Sequence, residues 1–294
     1  MTQSKVKGID GNHLAEEQYE VNLSHGPTRY ADIGAGDPIL FVHGAFVNGS
    51  LWRNVVGPLS EKYRCLVPTL PLGGHEVAMN PDANLTPSGL ADLLAEFLDT
   101  LGIERVTLVG NDSGGAISQV FLTEYPDRVE QLVLTNCDAF DNFPPLAARP
   151  FVWGARIPGA TGLFAWTLGS PTVRRLAFKL LAKHPIPPGI LTEYVESLSV
   201  NPRIRRDLRK FLLGVSPRYT TDAAASFPTF DRPVLLAWAP DDPVFPLDDA
   251  ERLVERFPNA RLERVEDSYA LVPEDQPERL VELLTEFLAV PTRV

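Results

Sequence analysis

Cysteine is scarce in this sequence. Two residues, Cys65 and Cys137, occur among 294, and both lie in apolar segments that we expect to be buried strands. They predict neither a disulfide framework nor a zinc site, because a lone buried cysteine usually packs as a small apolar side chain. Long apolar runs are also lacking. None approaches the roughly 18 residues that a transmembrane helix needs, so no membrane span is expected.

Basic residues are fewer than acidic ones: the sequence has 27 Lys and Arg against 38 Asp and Glu, which gives a net charge of −11. Such a chain repels phosphate groups, so we expect neither nucleic acid nor a membrane surface as a partner. The first 18 residues are polar and lack the apolar segment of a secretory signal, which makes the cytoplasm the expected compartment. We expect a small-molecule substrate, and the pattern leaves monomer and homodimer open.

Cofactor motifs are missing as well. The chain has no Walker loop, no Gly-x-Gly-x-x-Gly fingerprint and no metal-ligand spacing. We therefore expect no cofactor and no bound metal.

Short apolar segments alternate with amphipathic ones along most of the chain. The expected strands are residues 18–23, 28–33, 38–42, 64–69, 106–110, 131–136, 233–238 and 261–265. This alternation is typical of an α/β protein with a mostly parallel sheet covered by helices. Between residues 140 and 230 the pattern gives way to short, proline-interrupted helical pieces rich in aromatic residues. We expect residues 1–139 and 231–294 to form the core and residues 140–230 to form a helical cap over the carboxyl ends of the strands.

The segment from Val106 to Gly115 carries the main functional signal. A β-branched strand enters Gly110-Asn-Asp112-Ser-Gly114, and a helical segment follows at once. A turn this sharp needs residues without bulky side chains on both sides of its apex. The pattern is that of a nucleophile elbow, normally Gly-x-Ser-x-Gly, with Asp112 in the middle. The alternative is an ordinary strand–helix turn with a carboxylate near the helix N-terminus.

By its order of elements, its elbow and the position of its cap, the chain resembles the α/β hydrolases. The aspartate in the elbow and the segments His43-Gly44 and Leu51-Trp52-Arg53 are similar to those of haloalkane dehalogenases and epoxide hydrolases. The resemblance implies an eight-stranded sheet, with the cap inserted after the sixth strand. It also implies that Asp112 attacks a carbon atom and that the backbone N–H groups of Ala45 and Ser113 form an oxyanion hole.

The resemblance further implies an acidic residue after the seventh strand. Asp242 fits the family spacing, Asp241 is the fallback, and a solvated turn is the alternative for both. The family's base is a histidine on the loop after the eighth strand, where this chain has Tyr269. Since a phenol with a pKa near 10 cannot easily activate water, we expect slow hydrolysis of any ester formed on Asp112.

Several side chains are candidates for the substrate pocket. His43 is expected to orient the oxyanion loop and not to act as the base. The other candidates are aromatic: Phe46, Trp153, Trp166 and Tyr194. For Tyr194 a packing role in the cap is the alternative.

Three functions fit this sequence. The first is a hydrolase for a small, fairly apolar epoxide, alkyl halide or ester, with Asp112 as nucleophile or base and with Asp242 and Tyr269 completing the catalytic set. The second is a lyase, isomerase or cyclase that uses Asp112 and Tyr269 as base and acid. The third is an inactive relative that only binds a ligand, and fold alone does not choose among the three.

Overall fold

The computed structural model describes residues 4–6, 14 and 18–289. The polar segment before Gln18, in which we expect no secretory signal, lies largely outside the described residues, and so does His13. None of the described helices is both long enough and apolar enough to cross a lipid bilayer.

A single sheet organises the described chain. Its strands are β1 (Ser4–Val6), β2 (Gln18–Leu23), β3 (Gly26–Ile33), β4 (Pro38–Val42), β5 (Arg64–Pro68), β6 (Val106–Asp112), β7 (Val129–Cys137), β8 (Val234–Trp238) and β9 (Ala260–Arg264). Their order in the sheet is β1-β2-β3-β5-β4-β6-β7-β8-β9. The strands from β4 onward pair in parallel, whereas β1, β2 and β3 pair antiparallel. The eight expected strands are all present, and Ser4–Val6 adds a short ninth at the edge.

The helices outside the cap region flank this sheet. They are α1 (Arg53–Leu59), α2 (Pro87–Thr100), α3 (Ser113–Glu124), α10 (Leu247–Arg256), α11 (Val272–Asp275) and α12 (Pro277–Leu288). The start of α2 follows its sequence signal: the Thr86 side chain accepts a hydrogen bond from the Gly89 N–H at 3.2 Å, and Pro87 occupies the first helical position.

Between β7 and β8 the chain forms six helices. They are α4 (Arg149–Gly154), α5 (Ala160–Leu168), α6 (Pro171–Phe178), α7 (Pro188–Val200), α8 (Pro202–Gly214) and α9 (Pro217–Ser226). Five prolines of this region stand in the first turn of a helix, one each in α4, α6, α7, α8 and α9, where no N–H is needed. Helices α4 to α8 pack on one another, whereas α9 packs on α3 of the core.

The core of the sheet is packed too closely for side chains at several glycines. A Cβ atom on Gly114 would lie 2.3 Å from the Val42 carbonyl oxygen, and one on Gly110 would lie 2.6 Å from Ser118 Oγ. These contacts bring α3 directly against β4 and β6. The carboxyl ends of β4, β6 and β7 therefore meet at the point where α3 begins.

Candidate active site

The turn between β6 and α3 holds Asp112 in a strained conformation. Its φ of 53° and ψ of −132° lie in a region that residues with a side chain rarely occupy. Such strain persists only where the surroundings enforce it, and it is concentrated at functional sites. Here the surroundings are the close approaches of Gly110 and Gly114, which leave the chain no gentler path from strand to helix. The elbow geometry inferred from the sequence is thus present around Asp112.

Asp112 is almost fully buried, with 8% of the residue's surface exposed. Its Oδ1 accepts hydrogen bonds from the Ser113 N–H at 2.5 Å and from Ser113 Oγ at 3.1 Å. The backbone of Gly44 packs against the other side, where an added Cβ would lie 2.6 Å from Asp112 Oδ2. Burial raises the pKa of Asp112 to about 6, although the two hydrogen bonds from Ser113 favour the charged form and lower the pKa. The group is therefore largely ionised at neutral pH but weakly solvated.

Asp112 and Ser113 open into a cavity of about 120 Å³ between the sheet and the helices that connect β7 to β8. Ala45 and Phe46 contribute to its wall from the loop after β4, and Phe46 also has a positive φ, of 63°. The rest of the lining is almost entirely apolar and includes Phe143, Phe151, Phe164, Leu168, Phe178, Leu181, Phe211 and Phe245. The cavity suits a small, apolar molecule held against a carboxylate.

The two residues expected to form an oxyanion hole, Ala45 and Ser113, both line this cavity. They lie on either side of the elbow, one after β4 and one at the start of α3. The Ser113 N–H donates to Asp112 itself in this structure. It would have to turn to the substrate oxygen for the predicted role, which stays a prediction.

A second carboxyl group, which the sequence reasoning missed, lines the same cavity. The β6–β7 register pairs Asp112 with Cys137, so Asp138 follows at the neighbouring strand end. Asp138 is fully buried, and neither of its carboxyl oxygens has a hydrogen-bond partner among the described residues. Burial, followed by the charge of Asp112, raises the pKa of Asp138 well above its usual range. The only sequence signal was its place just past a strand of a parallel sheet.

Asp242, the predicted acid, is buried beyond β8, whereas the Asp241 side chain is 65% exposed and lies 3.5 Å from Lys183 Nζ. Asp242 accepts hydrogen bonds from Asn136 Nδ2 at 2.7 Å and from the Val244 N–H at 2.8 Å. Burial raises the pKa of Asp242 to about 7 despite these bonds, and the charge of Asp112 adds to the shift. Asp242 does not line the cavity itself.

Among the described residues, Tyr269 makes no hydrogen bond with Asp112, Asp138 or Asp242. Its ring is 5.6 Å from Lys183 Nζ, its N–H donates to Asp275 Oδ2 at 3.0 Å, and it is not part of the cavity wall. The loop reaches the elbow through the next residue, since the Ala270 carbonyl accepts from Asn111 Nδ2 at 2.7 Å. Nothing in this arrangement brings the phenol to Asp112, and its catalytic role stays a prediction.

The described histidines are engaged elsewhere. His43 is buried; its Nδ1 bonds to the Gly44 carbonyl and its Nε2 accepts from the Leu70 N–H, both at 2.8 Å. Burial lowers the pKa of His43 to about 4, so the ring is neutral and holds the loop that carries Ala45. His75 pairs with Asp207, and His184 pairs with Asp267. No described histidine makes a hydrogen bond or ion pair with Asp112 or Asp242.

Three of the aromatic pocket residues suggested by the sequence need correction. Trp153 and Trp166 are 62% and 73% exposed on the cap and do not line the cavity. Tyr194 is buried outside the cavity, where its hydroxyl donates to Glu274 and accepts from Arg53. The cap helices are short and apolar on several faces, so periodicity could not show which face is inward. Phe46 is the aromatic prediction that does line the cavity, and His43 lies behind it as a support of the loop.

Curated proteins related to this chain include several enzymes. "Haloalkane dehalogenase 2" of Mycobacterium tuberculosis is 29% identical over 289 residues, covering 90% of this chain and 92% of that protein. A 2-hydroxy-6-oxononadienedioate/2-hydroxy-6-oxononatrienedioate hydrolase of Paraburkholderia phymatum is 30% identical, with 91% and 94% covered. A cis-3-alkyl-4-alkyloxetan-2-one decarboxylase of Shewanella oneidensis is 26% identical, with 88% and 84% covered.

Solved structures share the fold. An alpha/beta hydrolase fold protein from Burkholderia ambifaria superposes with a TM-score of 0.79 at 24% identity, covering 94% of this chain and all of that one. An ancestral haloalkane dehalogenase gives a TM-score of 0.75 at 22% identity, with 92% and 99% covered. The family profile described as alpha/beta hydrolase fold matches residues 37–277. This chain belongs to the alpha/beta hydrolase fold family and is related to haloalkane dehalogenases and other hydrolases.

Proposed function

We propose that this protein hydrolyses a small, apolar molecule of the epoxide, alkyl halide or ester type, with Asp112 as the nucleophile. The observation that carries this proposal is the Asp112 carboxyl group, held at a strained elbow and facing a nearly apolar cavity. A carboxylate is a poor nucleophile in water. It becomes effective where few water molecules solvate it and the substrate carries a good leaving group or a strained ring.

The charge state of Asp112 suits this role. With a pKa of about 6, most molecules carry the ionised, nucleophilic form at neutral pH. Attack on the electrophilic carbon of an epoxide or alkyl halide breaks the ring carbon–oxygen bond or displaces the halide ion, and forms an ester between Asp112 and the substrate. Ala45 and Ser113 line the cavity beside Asp112, and in this proposal their N–H groups stabilise the negative charge that the ester carbonyl oxygen develops during hydrolysis.

Hydrolysis of that ester is expected to be the slow step of the reaction. Among the described residues, no histidine reaches Asp112, so no imidazole is available there to activate water. We expect alkylation of Asp112 to be faster than release of product, so that the ester accumulates. Asp242 and Tyr269 stay predictions as further members of the set, since neither lines the cavity.

Intact-protein mass spectrometry tests this proposal. The protein is incubated with styrene oxide, benzyl chloride and phenyl acetate, and the protein mass and the free products are followed with time. We expect an adduct from styrene oxide and benzyl chloride on the peptide that contains Asp112, and none in Asp112→Asn. Asp127→Asn is the matched control, since the Asp127 side chain is 93% exposed. No adduct and no product with any compound would contradict the proposal and favour a ligand-binding role.

A second candidate is a lyase, and the relatedness to an oxetanone decarboxylase favours it. Such a reaction releases carbon dioxide and needs no water, so a missing imidazole would be no handicap. Incubation with a dialkyl oxetan-2-one distinguishes the two. Release of carbon dioxide that is lost in Asp112→Asn would support the lyase, whereas formation of a hydroxy acid would support hydrolysis.

A further inference from the structure

Asp138 forms no ion pair with a described residue, and the nearby Ser113 hydroxyl, which favours its charged form, donates to Asp112 Oδ1. It is fully buried, its two carboxyl oxygens lack hydrogen-bond partners among the described residues, and it lines the cavity beside Asp112 and Ser113. An unpaired carboxyl group in an apolar wall costs folding free energy, and unsatisfied groups of this kind mark functional sites. The sheet register fixes its place, because Cys137 is the β-bridge partner of Asp112.

We propose that Asp138 is a second catalytic residue, a proton donor to the leaving oxygen of a small apolar epoxide whose ring carbon Asp112 attacks. This inference rests on the proposed nucleophilic role of Asp112. It narrows the substrate class, and it supplies an acid for ring opening and then a carboxylate that assists hydrolysis of the ester, which stays the slower step.

The surroundings of Asp138 keep a proton on it. The titratable groups that face it are Asp112 at the elbow, Cys137 on its own strand and Asp249 on α10, all neutral or negative. Asp249 in turn has a cation beside it, since Arg252 lies 3.1 Å from its carboxylate and stacks 4.0 Å from the Phe140 ring. Two carboxyl groups that share an apolar cavity hold one proton between them. Burial is greater for Asp138, so Asp112 is the one that ionises.

The one proton held by Asp138 is sufficient for a complete reaction cycle. The Asp112 carboxylate attacks a ring carbon, the carbon–oxygen bond of the epoxide breaks, and the released alkoxide takes the proton of Asp138. This leaves an Asp112 ester and an Asp138 carboxylate. The carboxylate then takes one proton from a water molecule whose oxygen adds to the ester carbonyl. Collapse of that intermediate expels the diol, which keeps the second proton of the water, and restores ionised Asp112 and protonated Asp138.

The same arrangement disfavours an alkyl halide as the natural substrate. A halide leaves as a stable anion and gains nothing from a carboxylic acid, whereas an alkoxide is strongly basic and needs a proton as it forms. A halide ion would also be released next to the Asp138 carboxyl group, and no cationic side chain among the described residues lines the cavity to stabilise it. The rest of the cavity wall is almost entirely apolar.

Single-turnover labelling of Asp138→Asn with styrene oxide and benzyl chloride tests this inference. Asparagine keeps the size and neutrality of a protonated aspartate but cannot transfer its proton. We expect labelling of Asp112 by styrene oxide to slow by about 100-fold or more, and labelling by benzyl chloride to stay within about threefold of the wild type. Asp127→Asn is the matched control and should label as the wild type does with both compounds.

Each outcome of the labelling decides one question. Equal labelling of Asp138→Asn and wild type by styrene oxide would overturn the role of Asp138 while leaving Asp112 as nucleophile. A wild type that neither compound labels would overturn the proposed function together with this inference. If Asp138→Asn loses both reactions equally, Asp138→Ala is tested with added formate. Recovery of labelling by styrene oxide would support proton donation, and no recovery would overturn it.

Discussion

Replacing Asp112 by asparagine should stabilise the protein at alkaline pH. Burial raises the pKa of Asp112 from 3.8 to about 6, so the native state binds its proton more tightly than the unfolded chain. The stability this proton gives is fully present below pH 3.8 and is lost as the pH rises through 6. Above that pH the wild type carries a buried charge that asparagine lacks.

The size of the effect follows from the shift. A rise of about two pKa units corresponds to about 3 kcal/mol of native-state destabilisation above pH 6. Asparagine can still accept the hydrogen bond from the Ser113 N–H through its Oδ1, so little is lost in return. We expect Asp112→Asn to be more stable than the wild type by about 2–3 kcal/mol near pH 8 and by less than about 1 kcal/mol near pH 4.

Urea unfolding of wild type and Asp112→Asn, followed by fluorescence at both pH values, measures this difference. Asp127→Asn is the control and should match the wild type at both, since it lies on the surface. A variant no more stable than the wild type near pH 8 would refute the reasoning. A gain of the same size at both pH values would also refute it, because the effect would then not come from ionisation.

Three further predictions concern the elbow, the cavity wall and a buried ion pair. Gly44→Ala would place a Cβ 2.6 Å from the carboxyl group of the elbow residue, so labelling by styrene oxide should slow at least about tenfold; an unchanged rate in the mass-spectrometric assay would contradict this. Phe151→Ala should raise KM for styrene oxide about tenfold, while Trp153→Ala, on the outer face of the same helix, should change it less than about twofold. Arg53→Ala leaves the buried Glu274 carboxylate with the Tyr194 hydroxyl but without a counter-charge, so urea unfolding should show a loss of about 3–5 kcal/mol, and a loss below about 1 kcal/mol would count against it.

The elbow was predictable from sequence because its constraint is local. Gly110 and Gly114 are required by backbone atoms within a few Å, and the strand and helix on either side have clear patterns. The sheet was predictable for a similar reason, since its strands are short, apolar and separated by amphipathic helices. These features depend on residues that are close in the sequence, so they can be predicted without knowledge of the tertiary structure.

The cavity wall was less predictable. In α4, Phe151 faces inward and Trp153, two residues later, faces solvent, and a helix of six residues is too short for its apolar face to be assigned. Asp138 follows β7, and which polar residue after a strand faces a cavity depends on pairing with β6. Asp242 could be preferred to Asp241 only through family spacing, and their burial now separates them.

The most direct test of Asp112 as a nucleophile is a single turnover of styrene oxide in water enriched in heavy oxygen, with the enzyme in excess. If Asp112 attacks the ring carbon, the diol of the first turnover carries an ordinary oxygen from the carboxyl group. The heavy atom then enters the Asp112 peptide, which mass spectrometry detects after proteolysis. A diol that carries the heavy oxygen, together with an unlabelled Asp112 peptide, would show that water attacks directly and would contradict the account.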